Sequence, residues 1–222
     1  MSVLGFPEEL NFQSLKSMYP SRKQEYRKAP MNSQTFSSGG DIQLVLFKME
    51  NSFYDPATIC VNFTVDYLGI TAGVPGTDGS FILGSAYSHF SRQVVRPLSG
   101  QPIETIDNPS LLTNAVLNMT MDSYEKIALS STMGFNSTTP FTNLGSLIDN
   151  NIFYNGYTFS YSIPLIGCLN TAKLIPGFIT DIEIDLTVNN MKNFITSVTS
   201  SLGANPTGFT IRNVELVCEV IT

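Results

Sequence analysis

The chain holds a single histidine, His89, in the stretch "SAYSHFSR", with Ser88 and Ser91 close by. A Ser-His-Asp triad needs an imidazole to move the nucleophile's proton. Adjacency along the chain is not triad geometry, however, and no G-x-S-x-G elbow is present. His89 is therefore expected to be an ordinary loop or strand-edge histidine. A second constellation is Asp181, Glu183 and Asp185 in "DIEIDLTV". On a strand these carboxylates share one face, neighbours standing roughly 6.6–7 Å apart by the strand rise. Two such groups suit glycoside hydrolysis, and three could hold Ca²⁺ at a subunit contact. Hydrolases draw their carboxylates from different elements, and the chain has no tryptophan to stack a sugar. The solvent face of an edge-protected strand explains the spacing better, and calcium is the minority alternative. The cysteines Cys60, Cys168 and Cys218 are odd in number and far apart. They fit neither a disulfide framework nor a zinc site, and read as buried, reduced thiols. "SSGG" and "GVPGTDGS" lack the lysine and the strand–helix context of a phosphate loop. No cofactor and no catalysis are expected.

The composition indicates burial. Of 222 residues 42% are hydrophobic and only 14% charged, below the usual quarter, so much of the surface must face the chain's own core or partners. No run approaches the roughly 18 apolar residues of a membrane span, and the first residues, MSVLGFPEEL, do not read as a secretory signal. The net charge of −6 is uneven. Residues 1–36 carry five basic and three acidic side chains (+2), and residues 37–222 carry seven and fifteen (−8). The body should repel polyanions, so only the basic stretch "SRKQEYRKAP" could touch nucleic acid, weakly at most, and such a cluster is more often a solvated leader.

Elements follow from periodicity. Residues 1–36, with Pro7, Pro20 and Pro30, read as a flexible N-terminal arm, and regular structure is expected after Ser37–Gly40. "DIQLVLFK" and "TICVNFTVDYL" alternate as strands, the second with Ile59, Val61, Phe63, Val65 and Tyr67 on one face. Ser91–Leu98 and Gln101–Ile106 form a hairpin turning at Ser99-Gly100, and the flanking Pro97 and Pro102 place it at a sheet edge. A helix then starts with Asn108 as N-cap and Pro109 at its first position. Leu112, Ala115, Val116 and Met119 give it an apolar stripe expected to cover the β body. Residues 120–150 read as a long connection. "YTFSYSIP", "DIEIDLTV" and "FTIRNVELVCEVI" alternate again, the last with Val214, Leu216, Cys218 and Val220 inward. Seven or eight one-sided strands with long crossovers predict an all-β, antiparallel β-sandwich of jelly-roll topology with one short helix after a β-hairpin.

Four motifs carry a resemblance. "SHFSRQVVRPLSGQPIETIDNPSLLTNAVLN" resembles a segment of the major capsid proteins of double-jelly-roll viruses, notably polinton-like viruses and adintoviruses, through Phe90, Arg92, Gly100, Ile103, Glu104, Ile106 and Leu112. "FSYSIPLIGCLNTAKLIPGFITDIEIDLTV" is similar to a second stretch, through Ile163, Pro164, Leu165, Gly167, Leu169, Lys173, Ile175 and Pro176. "FSSGGDIQLVLFK" and "FTIRNVELVCEVI" are like the first and last strands of the family's first jelly roll. The resemblance implies a non-catalytic viral capsid protein that self-assembles into trimer or pentamer capsomers and an icosahedral shell around the genome, alone or with a second capsid protein. It implies the virion as the place of action and synthesis inside the host cell. The hairpin and helix would be a clasp at a subunit contact. The expected division is an arm, 1–36, and a jelly-roll domain, 37–222. Contact candidates are Tyr19, Arg22, Lys23 and Tyr26 in the arm and Arg92, Arg96, Gln101 and Glu104 in the hairpin. The alternative is a β-sandwich module that binds a receptor or glycan through loops 69–80 and 131–150.

Overall fold

The computed structural model describes residues 22–68, 80–82, 85–98, 100–134, 158–170, 173–197 and 208–222. Twelve strands and two α-helices are laid out among them. The strands are β1 (Lys23–Lys28), β2 (Thr35–Ser37), β3 (Asp41–Leu46), β4 (Phe53–Leu68), β5 (Ser80–Ile82), β6 (Phe90–Pro97), β7 (Glu104–Asp107), β8 (Thr158–Pro164), β9 (Ile175–Pro176), β10 (Ile182–Val188), β11 (Ile195–Ser197) and β12 (Gly208–Ile221). The helices are α1 (Pro109–Thr120) and α2 (Ser123–Met133).

One sheet runs β1-β12-β4-β8, with β2 also on β12 and β9 on β4. The other runs β3-β10-β6-β7, and β5 pairs with β11 apart from both. Taking the eight principal strands in chain order, the two sheets read first-eighth-third-sixth and second-seventh-fourth-fifth. That interleaving, antiparallel throughout, is jelly-roll wiring, as the sequence predicts. Inward residues of both sheets meet in one core: Ile42, Leu44 and Leu46 of β3, Ile184 and Leu186 of β10, Val61, Phe63 and Val65 of β4, and Leu216 and Val220 of β12. Burying each such side chain is worth about 1.5–3 kcal/mol.

The last strand keeps its apolar side inward by changing phase. Phe209 and Ile211 are buried at odd positions, and Val214, Leu216, Cys218 and Val220 at even ones. The register against β4 shifts between Arg212 and Glu215, where Asn213 takes a φ of 51°. A bulge adds one residue and returns the apolar set to the core.

Two expectations are corrected here. Regular structure begins before Ser37–Gly40: the arm residues Lys23–Lys28 pair with Ile221 back to Leu216, and Thr35–Ser37 with Thr210–Arg212. Five of the six β1 residues have exposed side chains, so this strand is held by its backbone ladder and carries no apolar alternation. Its half-buried member, Tyr26, ties the two sheets together by donating to the Val45 carbonyl at 2.8 Å and accepting from the Phe47 N–H at 3.2 Å. The expected long connection contains a second helix, α2. Its Asp122 accepts from the Glu125 N–H while the Glu125 carboxylate accepts from the Asp122 N–H, a capping box, and Gly134 closes it in the left-handed conformation. The D-x-x-E spacing was the available signal.

Candidate functional site

The hairpin forms where expected, its second strand beginning three residues later than the sequence suggests, at Glu104. β7 lies at the sheet edge, pairing Glu104–Asp107 with Val95–Arg92 of β6, and the turn closes with Gly100 N–H on the Pro97 carbonyl at 2.8 Å. Asn108 differs from an ordinary N-cap, sitting at a φ of 53° in the left-handed region. It hands the chain to α1 while its N–H bonds the Ser91 carbonyl at 2.7 Å.

The helix is turned over relative to the expectation. Pro109 and Thr113 face the body, Thr113 satisfied by the Pro109 carbonyl at 2.7 Å. The predicted stripe faces away: Leu112 is 45% exposed, Val116 47% and Met119 87%, with Leu111 beside them. Periodicity finds an apolar stripe but cannot say which way it points when no face of the helix carries a charge. Here the entry fixed by Asn108 and Ser91 sets the rotation.

The candidate contact residues are placed as follows. Tyr19 lies outside the described residues. Arg22 is exposed and exchanges two 3.0 Å backbone bonds with Thr222. Lys23 pairs with Glu219 at 2.7 Å, and Arg27 with Glu25 and Glu215, so the basic stretch is matched to the outward glutamates of β12. In the hairpin, Gln101 is exposed and Arg92 pairs loosely with Asp107 at 3.4 Å. Glu104 points to the body, accepting from the Cys168 N–H at 2.8 Å. Gly167 makes room for it: it sits at a φ of 86°, and a Cβ there would overlap the Glu104 carboxylate. Gly167→Ala is expected to cost about 2–3 kcal/mol, through the φ strain and the displaced charge-assisted bond. Adding Glu104→Ala should cost much less than the sum, because both remove one contact; denaturant midpoints of the singles and the double measure it.

The three carboxylates do not converge. Asp181 precedes β10 and accepts from the Lys48 N–H. Glu183 and Asp185 share a face, but of a strand central in its sheet, with Glu183 only 8% exposed. This corrects the reading of an exposed, edge-protected face. Arg96 lies across from them on β6: its Nε and Nη2 bond Glu183 at 3.0 and 3.2 Å, and Nη2 is 2.8 Å from Asp185 Oδ2. Burial holds the Asp185 carboxyl above its ordinary range, Glu183 adding to the effect and Arg96 opposing it. The guanidinium occupies the position a cation would need. Among the described residues no group of three or more acidic, histidine or cysteine side chains could hold a metal.

His89 sits in a turn at the start of a strand, as expected, and the structure adds that it belongs to the core. It is fully buried at the end of the 3₁₀ turn Ala86–His89. Its Nδ1 lies 2.8 Å from the Ala86 carbonyl and so donates, leaving Nε2 to accept from the Tyr67 hydroxyl at 2.6 Å. Phe63, Tyr161, Phe194 and Phe209 surround the ring, and burial pushes its pKa down to about 4. Both nitrogens are committed to structural bonds. The thiols are unpaired, Cys218 buried and the others half-buried. Burial pushes Cys218 up to about 12 and, with Glu104 adding, Cys168 up to about 11, values that suppress thiolate chemistry. Most of loops 69–80 and 131–150, the sites of the alternative binding reading, lies outside the described residues.

No protein-family model and no curated protein matches the sequence. Solved structures do. The Faustovirus major capsid protein aligns over 96% of this chain and 57% of its own, at 10% identity and a TM-score of 0.50. The mavirus major capsid protein aligns over 100% and 52%, at 13% identity and a TM-score of 0.49. The STIV MCP follows at 12% identity and a TM-score of 0.38. The chain has the jelly-roll β-sandwich fold of viral major capsid proteins, and spans about half the length of the first two.

Proposed function

We propose that this chain is a structural subunit of a viral capsid, associating with copies of itself in the shell of a virion made inside an infected cell. The alignment of 96% of the chain onto the Faustovirus major capsid protein carries this reading. The four sequence motifs add the polinton-like and adintovirus relationship and the expectation of icosahedral assembly from trimer or pentamer capsomers. The role is non-catalytic: His89 is spent on the core, and Glu183 and Asp185 on Arg96. No helix among the described residues is long and apolar enough to cross a membrane.

Native mass spectrometry with negative-stain imaging of the purified chain tests this. Trimers, pentamers or shells are the expected result, and a monomer at all salt and protein concentrations would sink the reading. The arm's part in assembly is tested by removing residues 1–21, which leaves β1 in place. That truncation is expected to keep the folding stability and to weaken assembly. Removing 1–36 would also delete β1, most of β2 and the Tyr26 bonds, so it would confound folding with assembly.

A further inference from the structure

Two apolar patches lie at opposite ends of the sandwich. The first is the outward side of α1, with Leu111, Leu112, Val116 and Met119. No residue of α1, PSLLTNAVLNMT, is charged. It stands at the Phe90 end of β6, where Asn108 N–H meets Ser91. The second patch is at the Pro97 end. Leu98 and Ile103 of the hairpin tip, Leu174, Phe178 and Ile179 are 42–65% exposed there, with Phe53 at 38%. Backbone bonds join these segments: Gly177 N–H to Ser52, Leu98 N–H to Asp181 and Ile103 N–H to Val95. Phe53 and Phe178 meet edge to face at 6.1 Å. The eight residues of β6 separate the two ends by roughly 25 Å at the strand rise.

The sizes match. From typical residue areas the first patch leaves on the order of 500 Å² uncovered and the second about 600 Å². Each stands in the upper part of the range for an ordinary monomer's largest patch, roughly 300–600 Å². Together they come close to the lower end of the roughly 1,200–2,000 Å² that specific interfaces bury, and the residues around them would supply the rest. The absence of charge on α1 disfavours nucleic acid and anionic surfaces as its occupant. Two unlike patches of similar area, at opposite ends of one chain, are the two halves of a heterologous contact.

Resting on the capsid reading above, we propose that the outward face of α1 seats on the Phe53–Phe178 end of a second copy. One head-to-tail interface then covers both patches, and it repeats around a ring where the rotation closes.

Sedimentation velocity of the full chain tests this with Val116→Lys, Ile179→Glu and the chain carrying both. Val116 is 47% exposed and Ile179 65%, so far-UV circular dichroism and melting should be unchanged. Each single variant is expected to weaken self-association roughly 100-fold, as charge in an interface hot spot does. The double variant is expected to recover most of it. Head-to-tail packing sets position 116 of one copy against position 179 of the next, where the two introduced charges are opposite. Single variants that associate like the parent chain would overturn the proposal while leaving the capsid reading intact. So would a double variant as weak as the singles, the result if each patch paired with its own copy or was covered by another segment. A parent chain that stays monomeric would instead remove the capsid reading, and this contact with it.

Discussion

Lowering the pH from 7 to 4 is expected to remove about 3 kcal/mol of folding stability through His89 alone. Its folded pKa, about 4, lies below the ordinary 6.5 because the ring is fully buried. Between those values the unfolded chain binds a proton that the folded chain refuses, so acid favours unfolding. The contribution is intact above about 6.5, declines as the pH falls, and is lost once it passes about 4. Protonation would also turn Nε2 from acceptor to donor against the Tyr67 hydroxyl. Asp185 works in the opposite sense: its raised carboxyl gains a proton in the folded state first, which favours the fold as the pH falls. Denaturant unfolding across pH 4–7, compared with His89→Gln, separates the two. The variant should be less stable at pH 7 and should lack the His89 slope. Parallel profiles for parent and variant would refute the assignment.

Arg96→Ala is expected to cost about 2–4 kcal/mol, the largest effect of any single charge in the described structure. The guanidinium is 32% exposed, but its partners Glu183 and Asp185 keep only 10% and 16% of their side chains accessible. Removing it strands two adjacent carboxylates against each other, with Val45 opposite Glu183 offering no polar relief. The partial exposure of Arg96 is why the figure sits below the full penalty for a buried pair. The sign with pH is distinctive. Without Arg96, protonating the already raised Asp185 carboxyl relieves the repulsion, so the variant should recover stability on mild acidification. Adding Glu183→Gln should restore about 1 kcal/mol or more at neutral pH. A loss below about 1 kcal/mol in the denaturant midpoint of Arg96→Ala would show that water already screens the pair.

The strand pattern was legible because each strand buries one face, which writes a period of two into the sequence. Phe63, Val65, Ile184 and Leu216 are at the core positions their alternation predicts. The hairpin was legible from Ser99-Gly100 and its flanking prolines. β1 was not, because a strand exposed on nearly all its side chains leaves no hydrophobic period to read. The burial of His89 was not legible because a histidine's neighbours in sequence say nothing about the aromatic rings that enclose it, which come from β4, β8, β12 and the segment after β10.

Of the candidate surface, the sequence by itself determined the edge hairpin, the uncharged helix after it and the apolar stripe upon it. Those are local properties, set by turn chemistry and side-chain spacing. Only the tertiary structure decided that the stripe faces outward, that Arg96 closes over Glu183 and Asp185, and that Glu104 folds back to the Cys168 N–H. The last two depend on how separate segments come into register. Partners 87 and 64 positions apart leave no trace of their pairing in the local pattern of either one.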